Sequence, residues 1–277
     1  RRYFYSLSWI IGVVSVVMSV NCFVLYHCSS FQDNYMPTVK RDYTVGELAI
    51  LRDYVVRQCN ELAQELKRDE DGYLGDLNRR GILEMKRMGE TYPLLGGYYP
   101  MPKKFTFSGF FSQQYMLGYY FPFTMEANYN DVMYIANVPV TICHELSHVK
   151  GFIYEDDANF IGYLACTSSE DPFFRYSGYL SVLDYLNRDL YESLDRSFET
   201  YQTYEQCSAL VERDNVFLTK EAWAAVESRA VLDTETVRQA SHTFLQTNLQ
   251  INGIEEGTAS YGKVVEQLLT YYDGVLY

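Results

Sequence analysis

Positive charge is scarce in this sequence: 23 Lys and Arg stand against 36 Asp and Glu, a formal net charge of -13. Nucleic-acid phosphates would be repelled by such a chain, so no nucleic-acid partner is expected. The charge is compatible with a domain near an anionic membrane surface but not lying on it. Closely spaced cysteines are also missing. Six Cys occur, none in a CxxC spacing, so a cysteine zinc site is not expected and no disulfide follows from spacing. Histidine is rare, with four in 277 residues. No internal repeat or low-complexity segment is present. Disorder is excluded too, because 48% of the residues are apolar and can bury a substantial core. The 27 tyrosines suit a surface or groove that is apolar yet able to hydrogen-bond.

Charge is absent altogether from Trp9 to Tyr26, in the run WIIGVVSVVMSVNCFVLY. Extended by Tyr3–Ser8, it approaches the ~20 residues that cross a bilayer as a helix. Aromatics at both ends (Tyr3, Phe4, Tyr5 and Trp9; Phe23 and Tyr26) fit interfacial belts. A cleaved signal peptide fits less well, since the run is long and no small-x-small site precedes Cys28. Bulky Tyr26 and His27 spoil a lipoprotein box. Residues 1–28 are therefore expected to be a transmembrane anchor, 29–43 a polar linker, and 44–277 one domain. Arg1 and Arg2 flank the run closely, whereas Lys40 and Arg41 are more distant. That proximity puts the N-terminus inside and the domain outside the cell membrane.

Within the domain, Thr44-Val-Gly-Glu47 has the form of a capping box. It opens a helix to about Arg68, with Leu48, Leu51, Val55, Leu62 and Leu66 at helical spacing. A charged turn over Asp69–Gly75 leads to a shorter helix over Leu77–Met88. From Thr91 to Asn130 prolines, glycines and aromatics alternate. Short strands are expected at Lys104–Phe107 and Tyr129–Ile135. Pro139 starts a helix that Gly151 ends, a second begins near Glu155, and helices continue beyond Pro172 with a break near Asn252-Gly253 and Gly257. The expectation is a helix-dominated α+β domain.

Chemistry concentrates in His144-Glu145-Leu146-Ser147-His148. Residues four apart on a helix stand one turn above another, so both imidazoles can reach one ion. Zinc takes imidazole nitrogen readily and leaves room for a third ligand and a water. Glu145 would lie beside that water and accept its proton during attack on a peptide carbonyl. The alternative is a core helix with two satisfied histidines. Pro139 and Thr141 before the helix, the stripe Ile142, Leu146 and Val149, Lys150 in the last turn and Gly151 as the stop favour the metal site. Seven residues after His148 comes Glu155-Asp156-Asp157-Ala158-Asn159. A helix starting there puts Glu155 and Asn159 on one face, Glu155 as third ligand and Asn159 bonding the far nitrogen of a ligand histidine. Asp156 and Asp157 are rival ligands, and all three acids also suit a helix N-terminus.

HELSH followed by EDDANF resembles the gluzincin arrangement. The Glu-x-x-Ala-Asn form is similar to the second motif of regulatory peptidases that cut repressors and to the Glu-x-x-Ala-Asp motif of membrane-bound CAAX-type proteases. More of the chain resembles the bacterial membrane family called domain of unknown function 3810. The resembling stretches are Gly118–Asn130, Pro139–His148, Gly151–Cys166 and Ala259–Val265. The resemblance implies a zincin-like peptidase fold behind an N-terminal membrane region, with Zn2+ as cofactor and a peptide or protein as substrate. Asp157 stands where Glu is expected, and one membrane helix is fewer than expected. The second departure suggests that upstream residues, with further membrane passes, are missing.

Other candidates are less specific. Phe123–Asn128 is expected to form an edge strand that binds substrate backbone. Its Glu126 faintly resembles the amine-binding Glu of aminopeptidases, although a structural role is favoured. Tyr119, Tyr120, Tyr261 and His242 are candidate oxyanion or substrate contacts. The sequence reads as a membrane-anchored zinc peptidase. A non-catalytic zinc sensor or scaffold and an aminopeptidase-like exopeptidase are the alternatives.

Overall fold

The first helix, α1 (Arg2–Met18), runs on through a π turn at Ser19–Phe23 and a 3-10 turn at Val24–His27. Residues 2–27 are long and apolar enough to cross a membrane, and nothing in α1 is buried. The structure, a computed structural model, describes residues 2–37, 41–66, 75–251 and 260–277, with the backbone alone for 244–251 and 260–261.

The segment expected as a spacer holds a docked helix, α2 (Phe31–Tyr35), opened by a Ser30–Asp33 capping box. Phe31 is buried among Tyr35, Tyr92, Phe152 and Phe160, which makes α2 part of the domain's core. Thr44 and Glu47 form the expected capping box of α3 (Val45–Glu65). The charged turn falls almost wholly outside the described residues. α4 (Leu77–Thr91) follows, one turn longer than expected.

Next come β1 (Lys103–Lys104), α5 (Ser108–Ser112), β2 (Gly118–Phe121) and β3 (Glu126–Tyr129). The sheet order is β1-β3-β2, with β1 parallel and β2 antiparallel to β3. Three expectations need correction. Strand β1 stops at Lys104, because Thr106 and Phe107 turn the chain into α5. The segment 126–129 is the central strand, and β1 and β2 are the two edges of the sheet. Past Tyr129 no strand continues, because Asn130 Oδ1 accepts from Val132 N at 3.0 Å and folds the chain into a turn. A 3-10 turn then covers Ile135–Asn137.

The helical layer is α6 (Val138–Val149), α7 (Glu155–Thr167) and α8 (Pro172–Ser193). Four shorter or peripheral helices follow: α9 (Phe198–Tyr201), α10 (Ala209–Asp214), α11 (Lys220–Arg229) and α12 (Thr234–Ile251). α13 (Ser260–Tyr272) closes the domain, and the break expected near 252–257 lies outside the described residues. The core is made by Leu51, Val55 and Cys59 of α3, Ile142 and Leu146 of α6, Ile161 of α7, and Leu183, Leu186 and Leu190 of α8. Pro139 enters the first turn of α6, where its missing N–H costs nothing. Gly162 lets α7 press onto α6: a Cβ there would lie 3.2 Å from the Val140 carbonyl and 3.3 Å from His144 N. That close approach fixes the spacing of the two helices that carry the polar cluster.

Candidate metal centre

Helical spacing brings His144 and His148 together on α6, their Nε2 atoms 3.1 Å apart. The chain turns at Gly151, whose φ is 93°, and starts α7 at Glu155. Glu155 Oε2 lies 3.2 Å from His144 Nε2, and its Oε1 lies 3.7 Å from His148 Nε2. The donor atoms of His144, His148 and Glu155 all fall within 4.8 Å of one another. Both imidazoles are largely enclosed, while the Glu155 side chain is 61% exposed, so the cluster opens to solvent on that side.

The other ring nitrogens decide what the cluster needs. His148 Nδ1 meets the Phe152 carbonyl at 2.8 Å, and His144 Nδ1 meets Asn159 Oδ1 at 2.9 Å. Both partners accept, so both Nδ1 atoms carry hydrogen. In the neutral rings the two Nε2 lone pairs then face each other and a carboxylate. Such a convergence of electron-rich atoms calls for positive charge, as a proton or a metal ion.

Proton affinities carry the same message. Burial works against a charged His144, yet the Glu155 hydrogen bond and charge, then Glu145 and Asn159, raise its pKa to about 9. Burial dominates at His148 and, despite Glu155 and with His144 adding to it, lowers its pKa to about 4. Loss of hydration opposes ionisation of Glu155, but the two imidazoles bring it down to about 2. Burial, reinforced by Glu155 against the pull of His144, pushes Glu145 up to about 8.

Glu145 is buried, with one oxygen 3.9 Å from His144 Nε2 and the other, Oε2, without a hydrogen-bond partner. It lies under the start of β2. A Cβ on Gly118 would come within 2.3 Å of Glu145 Oε1, so only glycine lets the strand cross the carboxylate this closely. The glycine ahead of Tyr119-Tyr120-Phe121 was the sequence signal for this contact. The Phe152 carbonyl left none, because a backbone group carries no residue identity.

The remaining candidates divide. The Tyr120 ring stands 6.1 Å from that of His148, and its hydroxyl donates to the Asn21 carbonyl at 3.4 Å. Tyr119, next along β2, is exposed, and its phenol is pushed up by partial burial and by the charges of Cys22 and Glu145. Asp157 is turned elsewhere: Phe31 N donates to it at 2.6 Å and Gln267 Nε2 at 3.1 Å. It ties α2 and α13 to α7. Glu126 is bound by Lys103 across the sheet. His242 is exposed on α12, and the Tyr261 side chain lies outside the described residues.

The end of the apolar helix also reaches the cluster. Asn21 Nδ2 donates to the Pro122 carbonyl at 2.8 Å, and the Tyr154 hydroxyl to the Tyr26 carbonyl at 2.6 Å. Leu25 packs where a Cβ of Gly151 would point, 3.5 Å away. Fold and cluster together define a helix-dominated α+β domain that holds a candidate metal centre against an apolar N-terminal helix. The chain belongs to the family described as Protein of unknown function (DUF3810), whose model matches residues 2–269. No curated protein and no solved structure matches it.

Proposed function

We propose that the protein is a zinc-dependent peptide hydrolase of zincin-like type, held at a membrane by α1. The observation that carries this reading is the pair of imidazole Nε2 atoms 3.1 Å apart, with Glu155 beside them and Glu145 Oε2 unpartnered next to them. Two histidines and a carboxylate are a donor set that zinc accepts, with a further position open for water or substrate. When bound, zinc supplies a Lewis acid that polarises a peptide carbonyl and lowers the pKa of water. His144 and His148 present Nε2, their rings fixed by Asn159 and the Phe152 carbonyl. Glu145 takes a proton from the attacking water on its free oxygen and passes it to the departing amine. The outer edge of β2 offers backbone N–H and C=O groups to an extended substrate. Among the described residues Glu145 forms no ion pair with a lysine or arginine, which favours turnover over a purely structural zinc. Elemental analysis of the purified protein tests the reading. One zinc per chain is expected, with less than a tenth of an equivalent in His148→Ala, alongside cleavage of a peptide library by the parent. Full zinc in His148→Ala would move the site elsewhere.

A further inference from the structure

The rim above the cluster is apolar and exposed. Alternation along β2 turns Tyr120 inward and leaves Tyr119 and Phe121 outward, 42% and 38% exposed. The hairpin tip continues the row with Phe123 and Met125, 40% and 42% exposed. The rings are in file, Tyr119 to Phe121 at 6.4 Å and Phe121 to Phe123 at 5.3 Å. Met125 adopts φ 53°, a left-handed conformation that glycine or asparagine would take with less strain. A turn that keeps an exposed Met there retains its apolar side chain at the cost of backbone comfort.

The apolar helix sets the height of this rim. Asn21 bonds the Pro122 carbonyl, and Tyr120 bonds the Asn21 carbonyl, so the hairpin is fastened to the helix at that turn. Asn21 is about 28 Å along the helix from Arg2 at ~1.5 Å per residue. A bilayer's hydrocarbon core is about 30 Å thick. The hairpin therefore meets the helix where hydrocarbon gives way to headgroups, the level at which aromatic side chains concentrate in membrane proteins.

We propose that the β2–β3 hairpin is a lipid-contact surface, with Phe121, Phe123 and Met125 seated in the bilayer interface, and that the site beneath it receives the membrane-proximal stretch of a membrane-anchored polypeptide. The second half rests on the hydrolase reading; the first does not. Contact is apolar rather than electrostatic, as a chain of net charge -13 requires, so it persists in zwitterionic lipid and in high salt.

Two measurements on the full chain in phosphatidylcholine vesicles test this. In the first, Phe123→Trp is placed in vesicles with brominated acyl chains, with Phe198→Trp, an exposed position on α9, as the comparator. The emission added at 123 is expected to fall by at least half and the emission at 198 to fall far less. Equal quenching at the two positions, or none at 123, overturns the lipid contact. Phe121→Trp repeats the measurement should the first variant fail to fold. In the second, one peptide library is offered free and with a palmitoyl anchor. At least tenfold faster cleavage of the anchored form is expected, and equal rates overturn the substrate assignment. Cleavage of neither form counts against the hydrolase reading and the substrate assignment together, while the quenching result still judges the lipid contact.

Discussion

Two buried polar clusters in this protein are built on opposite plans. Around Arg52, 1% exposed, every partner is in place. Its Nε donates to Asn187 Oδ1 at 2.8 Å, its other nitrogens to Asp53 at 3.0 Å and the Tyr201 hydroxyl at 2.7 Å, and also to the Glu205 carbonyl. Around His144 and His148 the acceptors crowd together, and Glu145 Oε2 has no donor. The buried carboxylates of Glu84, Asp157 and Asp214 are served like Arg52, with hydroxyl, amide or guanidinium donors. Among the described residues, Glu145 is the buried acid left with an unpartnered oxygen. Among the described residues Asn78 Oδ1, Gln267 Oε1 and, beyond its ion pair with Glu84, Arg80 Nε also lack a hydrogen-bond partner, but none of them converges with two imidazoles and a second carboxylate as Glu145 does, and that convergence is what supports the proposed metal site.

The largest expected effect separates chemistry from stability. Glu145→Gln keeps the shape but removes the proton acceptor, so hydrolysis should fall by about 10²–10⁴-fold. Stability should change by less than about 1 kcal/mol, because no donor loses its partner. Peptide cleavage together with urea unfolding checks both halves; activity near the parent's would refute the assigned role. Arg52→Ala should do the reverse. Removing one side of a satisfied buried cluster costs about 3–5 kcal/mol, read as a lower urea midpoint with zinc content unchanged in the folded fraction. If Arg52→Ala were harmless, the contrast between the clusters would collapse.

Asn159→Ala should weaken zinc binding by about ten- to a hundredfold, as loss of the group that orients a ligand histidine typically does. Asn159→Asp should be tolerated, since a carboxylate oxygen still accepts from His144 Nδ1. Competition with a zinc chelator measures both. The smallest effect is on pH dependence. Without metal, His144 holds its proton up to about 9 and Glu145 up to about 8, against ordinary values of 6.5 and 4.5. Between pH 6.5 and 9 the metal-free fold therefore binds protons that the unfolded chain has released. Its Tm should fall as pH rises through that window and level off above it. Zinc affinity should strengthen over the same window, because His144 Nε2 must lose its proton before it ligates. A Tm flat across the window would contradict the cluster's electrostatics.

Much of this site was legible along the chain because it depends on one helical repeat. Four-residue spacing alone pairs His144 with His148 and sets Asn159 above Glu155, and Pro139 and Gly151 mark where α6 begins and ends. The capping box at Thr44 is equally local. These features need only the geometry of a single helix. Gly118-Tyr119-Tyr120-Phe121 is aromatic on both faces and β1 has only two residues, so no polar-apolar alternation in the sequence assigned the sheet or marked β2 as an edge. Burial of Phe31, the turn of Asp157 toward α2 and α13, the pairing of Glu126 with Lys103 and the seat of Gly118 over Glu145 are contacts between distant segments. So is the fastening of Asn21 to the hairpin, which joins residues 101 positions apart. Periodicity tells which face of an element is apolar, but only packing decides which other element covers it. The sequence by itself thus determined the helix that pairs His144 with His148, and the tertiary structure alone decided that this pair sits against the end of the apolar helix.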